Sequence, residues 1–352
     1  MSNIVINPYN FVVADVGAWK EVGRTTLGSA GDTISVTSIP DKMYYMMLGN
    51  YLPSGNFRTT YRINNDSAGN YALRKSEDGG AENVTTSITD MTVGNEDTNT
   101  AYFDVSYLQN ISAQEKLMIN HNMRTGGGGA GSAPKRVEAV AKWANTSSVI
   151  NRIDAVNDQG GDFATGSECV VLGYDPTDTH TTADNFWQEL ASVDWSSGGE
   201  IDSGTFTAKK YLWIQIIYKT GTMAGAYSAL QVGNGTIDTG SNYAERYSFD
   251  GGADGTSTSA ANVFGAVGVG NDSSTSLNFS NHFIINNASN EKLIISNNAT
   301  NSGSAGAGTA PNRQECNWKW TNTSNQINRI KVFRAAGSGN YTAGTIKVWG
   351  SD

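Results

Sequence analysis

The chain has 352 residues, with 24 Lys and Arg against 33 Asp and Glu and a formal net charge of −9. That balance argues against a nucleic-acid partner, which needs clustered basic residues, and no run approaches the ~18 apolar residues of a membrane span. Only 16% of residues are charged, 10% are aromatic and 40 are glycine, the composition of a folded chain of short strands joined by Gly, Asn and Asp turns.

In chain order, residues 1–18 form an N-terminal arm whose Ile4, Ile6, Tyr9 and Phe11 are available to dock elsewhere. The opening MSNIVINPYNF has neither a basic nor an apolar signal region, so synthesis in a cytoplasm without a signal peptide is expected. Alternation over Thr33–Ser38 predicts a strand, and KMYYMMLGNYL (42–52), apolar almost throughout, predicts one buried on both faces. Asn, Asp and Gly crowd 63–70 and 76–83 as turns. YFDVSYLQNIS (102–112) and EKLMINHN (115–122) read as strands, followed by the glycine-rich loop TGGGGAGSAP (125–134). Ala139, Ala141 and Trp143 then alternate with Glu138, Val140 and Lys142, the pattern of a half-buried antiparallel strand.

The same series then returns. KWANTSSVINRI (142–153) recurs as KWTNTSNQINRI (319–330), with 9 of 12 positions identical. EKL at 115–117 returns at 291–293, NYA at 70–72 at 242–244, and WKE at 19–21 as WQE at 187–189. The segment KYLWIQIIYK (210–219) matches the apolar strand at 42–52, and Cys316, Trp318 and Trp320 repeat the alternation before Trp143. No segment keeps a 3.6-residue period over three turns. The expected fold is all-β: two tandem antiparallel β-sandwich, jelly-roll-like domains from an internal duplication, at 19–175 and 187–352, joined by a polar linker at 176–186. Trp143, Trp320, Ile150, Ile153, Ile327 and Ile330 are the expected structural anchors.

Cys169 and Cys316 are not at equivalent positions, which excludes a repeated disulfide and predicts two core thiols. His121, His180 and His282 have no metal-ligand spacing. The candidate calcium ligands are Asp78, Glu82, Asp250 and Asp254 in matching Gly turns, with Asp66 and Asp238 in the turns before; the same Asp-Gly pairs also make a turn without any ion. No other cofactor is expected. There is no GxSxG, and the glycine-rich loops lack the ending of a phosphate loop. The repeated acids Glu115, Glu291, Glu138 and Glu315 lie near Lys116, Lys292, Arg136 and Arg313 and are expected as surface ion pairs. No enzyme activity is expected. Trp195 and Tyr341, with Tyr71, Phe163, Tyr243 and Tyr247, lie in or beside turns and are candidate glycan contacts.

The pattern KWxNTxxxINRI, followed by Gly161-Asp162-Phe163, Gly166-Ser167 and Gly173, and again by Gly339-Asn340-Tyr341, Gly344-Thr345 and Gly350, resembles a repeat of structural proteins of tailed phages, marine ones especially. That resemblance implies jelly-roll modules of capsids, tails or fibres. It implies location in a virion, and partners that are copies of the chain, other virion proteins and host-surface glycans. The expected function is a non-enzymatic structural virion protein, a capsid decoration or other shell- or tail-associated component, acting as a homo-oligomer. The alternatives are a bivalent carbohydrate-binding adhesin, a double-jelly-roll major capsid protein, and a polysaccharide-degrading enzyme with two buried carboxylates converging in one unit.

Overall fold

The computed structural model of the chain describes residues 18–352 apart from 95, 96, 99, 180, 222–226, 268–275 and 302–306. The expected arm, up to residue 17, and His180 lie outside the described residues. Two copies of one antiparallel plan follow each other. The first unit contains β1 (Lys20–Thr26), β2 (Thr33–Thr37), β3 (Tyr44–Tyr51), β4 (Thr59–Ile63), β5 (Tyr71–Glu77), β6 (Asn83–Ile88), β7 (Tyr102–Gln109), β8 (Lys116–Arg124), β9 (Lys135–Trp143), β10 (Arg152–Asn157) and β11 (Glu168–Tyr174). The second contains β12 (Gln188–Trp195), β13 (Glu200–Asp202), β14 (Tyr211–Thr220), β15 (Ser228–Asn234), β16 (Tyr243–Phe249), β17 (Gly255–Ala260), β18 (Leu277–Ile285), β19 (Lys292–Thr300), β20 (Asn312–Trp320), β21 (Arg329–Arg334) and β22 (Tyr341–Ser351). Two-residue strands occupy some of the turns.

Eight strands of the first unit form one large sheet in the order β1-β11-β3-β7-β8-β9-β5-β6, and eight of the second form another in the order β12-β22-β14-β18-β19-β20-β16-β17. Each strand of the second sheet stands where its counterpart, eleven labels earlier, stands in the first. The smaller sheets, β2-β10-β4 and β13-β21-β15, correspond in the same way. The chain is therefore all-β, two tandem jelly-roll-like sandwiches from an internal duplication. Each sandwich is lopsided, with a large sheet much wider than the small sheet that covers it.

The repeated letters hold one corner in each unit. Trp143 pairs with Tyr71 across β9 and β5, and Trp320 with Tyr243 across β20 and β16. The Trp143 Nε1–H donates to Asp66 Oδ2 at 2.8 Å and the Trp320 Nε1–H to Asp238 Oδ2 at 2.7 Å. The backbone N–H of Ile150 donates to Asn110 Oδ1, and that of Ile327 to Asn286 Oδ1. Lys116 and Lys292, expected in surface ion pairs, are buried instead. Their ammonium groups donate to backbone carbonyls, of Ile111 and Gln114 in one unit and of Ala288, Asn290 and Asn322 in the other. Three donors on a flexible stem suit a cluster of loop carbonyls that would otherwise go unsatisfied. Trp143, Trp320, Ile150, Ile153, Ile327 and Ile330 are all buried, in the sandwich core of their own unit.

A third core lies between the units. Met46, Leu48, Phe103, Val105, Met123, Val170 and Leu172, on the outer face of the first large sheet, pack against Tyr211, Phe283, Ile285, Leu293, Ile295 and Trp349 on the outer face of the second. Strands β7 and β8 cross β19 there. Parity explains the two-sided burial of β3: Tyr45, Met47 and Tyr51 face their own sandwich, while Met46 and Leu48 face the other unit. The tandem arrangement thus stacks four layers rather than two separate beads.

Three expectations change as a result. The polar linker 176–186 ends in Phe186, which with Trp187 is buried in the middle core. Strand β20 is not half-buried like β9, because the first unit covers its polar face and buries Asn317 and Lys319. Strand β14 is covered on both faces only at its start; Ile217 and Lys219 emerge beyond the edge of the first unit.

Candidate functional site

The Asp-Gly turns do not present open carboxylates. Asp78 and Asp250 both sit at positive φ (49° and 51°) and accept from the backbone N–H of Arg136 and Arg313 respectively, which is turn chemistry. Glu82 pairs with Arg74 on the surface. Asp254 is buried and accepts two hydrogen bonds from Arg136 of the other unit, at 2.8 and 3.0 Å. Arg246 completes the exchange from the second unit, with its Nε 3.2 Å from Asp78 Oδ1. Of the four calcium candidates, Asp78 and Asp254 come together in this cluster, neutralised by two guanidinium groups. Asp66 and Asp238 hold the tryptophan indoles. Among the described residues no three His, Cys, Asp or Glu side chains are grouped to hold a metal ion.

The aromatic candidates are mostly interior. Tyr341 is fully buried, its hydroxyl 3.0 Å from Ser228 Oγ, so it presents no face to a glycan. Tyr71, Tyr243 and Phe163 are likewise buried. Trp195 is partly covered and packs on the second core. These rings alternate into the sandwich, and position beside a turn does not reveal on which side of the sheet a ring lies.

Three further buried ionisable groups stand apart from the Asp78 and Asp254 cluster. Asp104 points into the first core, where it accepts from Asn120 Nδ2 at 2.7 Å and Ser106 Oγ at 2.8 Å, and burial pushes its carboxyl up to about 6. Glu245 points into the second core beside Cys316 and accepts the Gly265 N–H at 2.9 Å; burial raises it to about 7. His282 is held between the Ser280 and Ser296 hydroxyls, and burial lowers it to about 3. Asp104 and Glu245 belong to different units and cannot serve one bond as an acid and base pair. Both thiols are free and buried. Glu115 pairs with Lys142, and Glu291 with Lys319. Glu138 and Glu315 both approach Arg136.

What sequence reading missed is a surface. On the first large sheet, the outer face beyond the middle core carries Leu117 and Ile119 on β8, Val140 on β9 and Val84 on β6, each about half exposed. A groove of about 450 Å³ runs between them, and a second of about 400 Å³ adjoins it beneath Tyr44, Tyr107 and Trp19. An exposed apolar face of this kind is a candidate interaction surface. In the second unit the positions equivalent to Leu117 and Ile119 are covered. Leu117 is 53% exposed where Leu293 is 1%, and Ile119 is 52% exposed where Ile295 is 3%. Both copies spell EKL, so nothing in the letters marks which of Leu117 and Leu293 is covered.

No protein-family model matches the sequence, and a search of curated proteins finds no match. Among solved structures, the chain is similar to domains LG4-5 of the mouse laminin alpha1 chain, at 12% identity over 94% of this chain and 88% of that one, with a TM-score of 0.18. It is also similar to the LG1-3 region of the laminin alpha2 chain, at 10% identity over 91% of this chain and 64% of that one, with a TM-score of 0.19. Scores at this level transfer no chemistry from those proteins. Among the described residues, no helix is long and apolar enough to cross a membrane.

Proposed function

We propose that this chain is a non-enzymatic structural subunit of a virion, a capsid-decorating or other shell- or tail-associated component that works by docking onto copies of itself and onto other virion proteins. The observation that carries this reading is the half-exposed apolar face of Leu117, Ile119, Val140 and Val84 on the outer side of the first large sheet. Covering such side chains with a partner removes apolar surface from water, which favours association. The resemblance of the repeated KWxNTxxxINRI pattern to tailed-phage structural proteins supports the virion setting. The repeated carboxylates Asp78, Asp250, Asp66, Asp238 and Asp254 are engaged in turns, indole contacts and the contact between units, which suits a structural role. A glycan-binding role would call for exposed aromatic platforms, and Tyr341 and Trp195 do not supply them.

Sedimentation velocity of the full chain over a range of concentrations, with electron microscopy of the same samples, tests this reading. Species larger than one chain, growing with concentration into regular assemblies, are expected. A chain that stays monomeric at the highest concentration, and does not bind particles, overturns it.

A further inference from the structure

The contact between the units is not two-fold symmetric. The strand registers place Phe103 and Phe279 at equivalent positions, since Phe103 lies opposite Met123 and Asn50, and Phe279 opposite Ala299 and Ile217. By the same registers Leu117 and Ile119 correspond to Leu293 and Ile295. The first unit uses the Phe103, Val105 and Met123 half of its outer face, and the second uses the Leu293, Ile295 and Phe283 half. Among the described residues, each unit therefore keeps the opposite half uncovered. On the first unit that half is Leu117 and Ile119; on the second it is Phe279, with Ile217 and Leu277 beside it, all exposed.

Polar groups repeat the asymmetry. Glu291 and Lys319 form an ion pair at 3.1 Å that is capped by the glycine-rich loop of the first unit. There the Gly129 N–H donates to Glu291, and the Lys319 ammonium donates to the Thr125 carbonyl at 3.0 Å and to that of Gly127. The equivalent pair on the first unit, Glu115 and Lys142 at 2.9 Å, has nothing over it among the described residues: Lys142 is 43% exposed where Lys319 is 0%.

We infer that the chain self-associates head to tail, the Phe279 face of the second unit in one copy seating on the Leu117 and Ile119 face of the first unit in the next, as the first unit already seats on the second within the chain. The occupant is thus a second copy of this chain. A contact of this type joins unlike patches, so it propagates into a row or closes into a ring rather than stopping at a pair. The second unit carries Gln215, Asn281 and Lys347 where the first carries Leu48, Val105 and Val170. The contact between copies is therefore more polar than the one within the chain, and reversible. This inference rests on the self-assembly reading above and specifies its geometry.

The test is sedimentation velocity of the full-length wild type, of Ile119→Glu, of Phe279→Glu and of an equimolar mixture of the two variants. Far-UV circular dichroism and a thermal melt are recorded for each. Wild type is expected to form species beyond a dimer with rising concentration. Each variant alone is expected to be monomeric, its self-association weakened at least tenfold, and the mixture to form a 1:1 dimer that grows no further, because one variant supplies an intact first-unit face and the other an intact second-unit face. Should either variant fail to fold, Val140→Arg and Leu277→Glu replace it on the same faces. If Phe279→Glu assembles like wild type while Ile119→Glu does not, or if mixing restores no dimer, the head-to-tail geometry is wrong and the self-assembly reading stands. A wild type that never leaves the monomer overturns both.

Discussion

Arg136 of the first unit grips Asp254 of the second through a two-pronged hydrogen bond, Nε to Oδ2 at 3.0 Å and Nη2 to Oδ1 at 2.8 Å, with both side chains almost wholly shielded from water. Removing one partner of a buried pair leaves an uncompensated charge, a loss of roughly 3–5 kcal/mol, whereas replacing both with apolar groups of similar shape is close to neutral. Asp254→Ala should lower the stability of the chain by an amount in that range, softened by Glu315 nearby. Arg136→Met combined with Asp254→Leu should recover most of it. Denaturant unfolding of the three proteins checks this.

Gly79 belongs to the same contact. Its φ is +70°, and a Cβ there would lie 2.5 Å from Asp254 Oδ1. Gly79→Ala therefore combines a left-handed backbone with a collision against the ion pair, and should cost at least ~1 kcal/mol. Gly129 is also left-handed, at φ +73°, but has open space around its Cβ position. Gly129→Ala should cost less, and a melt comparing the two separates collision from backbone strain.

The indole contacts predict a matched pair of effects. Burial opposes ionisation of Asp66, but hydrogen bonds from Asn70, Trp143 and the Ala68 N–H outweigh it and hold the carboxyl below its usual range. Trp143→Phe removes one of those donors and leaves a gap, and should cost roughly 1–3 kcal/mol. Trp320→Phe removes the equivalent donor to Asp238 and should cost a similar amount. Nuclear magnetic resonance titration of Asp66 in the Trp143 variant should show its pKa rising towards normal.

Stability should depend on pH in a particular way. Asp104 at about 6 and Glu245 at about 7 titrate above the ordinary carboxylate values of 3.8 and 4.5. The folded state therefore holds these protons when the unfolded state has lost them, and the stability they contribute falls as pH rises through 6 and 7. His282, lowered to about 3 by burial, works in the opposite direction below its ordinary value of 6.5, as does His121, lowered mainly by burial. Glu245 alone is isolated by comparison with Glu245→Gln: the stability of the wild type relative to that variant should increase as pH falls from 8 through 7 towards 5. A difference in melting temperature between the two that stays constant or shrinks over that range contradicts this account.

Much of the fold was legible because its signals are local. Alternation at Ala139, Ala141 and Trp143 gave a strand and its inner face, and the returning KWxNTxxxINRI letters gave the duplication. What lay between the units was illegible for a definite reason. Lys142 and Lys319 follow the same pattern of neighbours, yet one meets solvent and the other a loop more than 190 residues away in sequence. Likewise the Asp-Gly turns read as ion ligands or as plain turns. The guanidinium of Arg136 that occupies Asp254 comes from a strand 118 residues distant. Identical letters cannot announce different surroundings when those surroundings are made by the other copy.

The segment joining the halves was expected to be a tether, and its last residues are instead wedged into the central layer. The Phe186 N–H donates to the Trp19 carbonyl, and its ring meets Trp187 edge-on. Cutting the backbone in the polar stretch just before it would not release two freely tumbling pieces. The severed protein should migrate as a single body under native conditions and come apart only in denaturant, so that whatever this molecule builds, it contributes as a stiff brick rather than as two beads on a string.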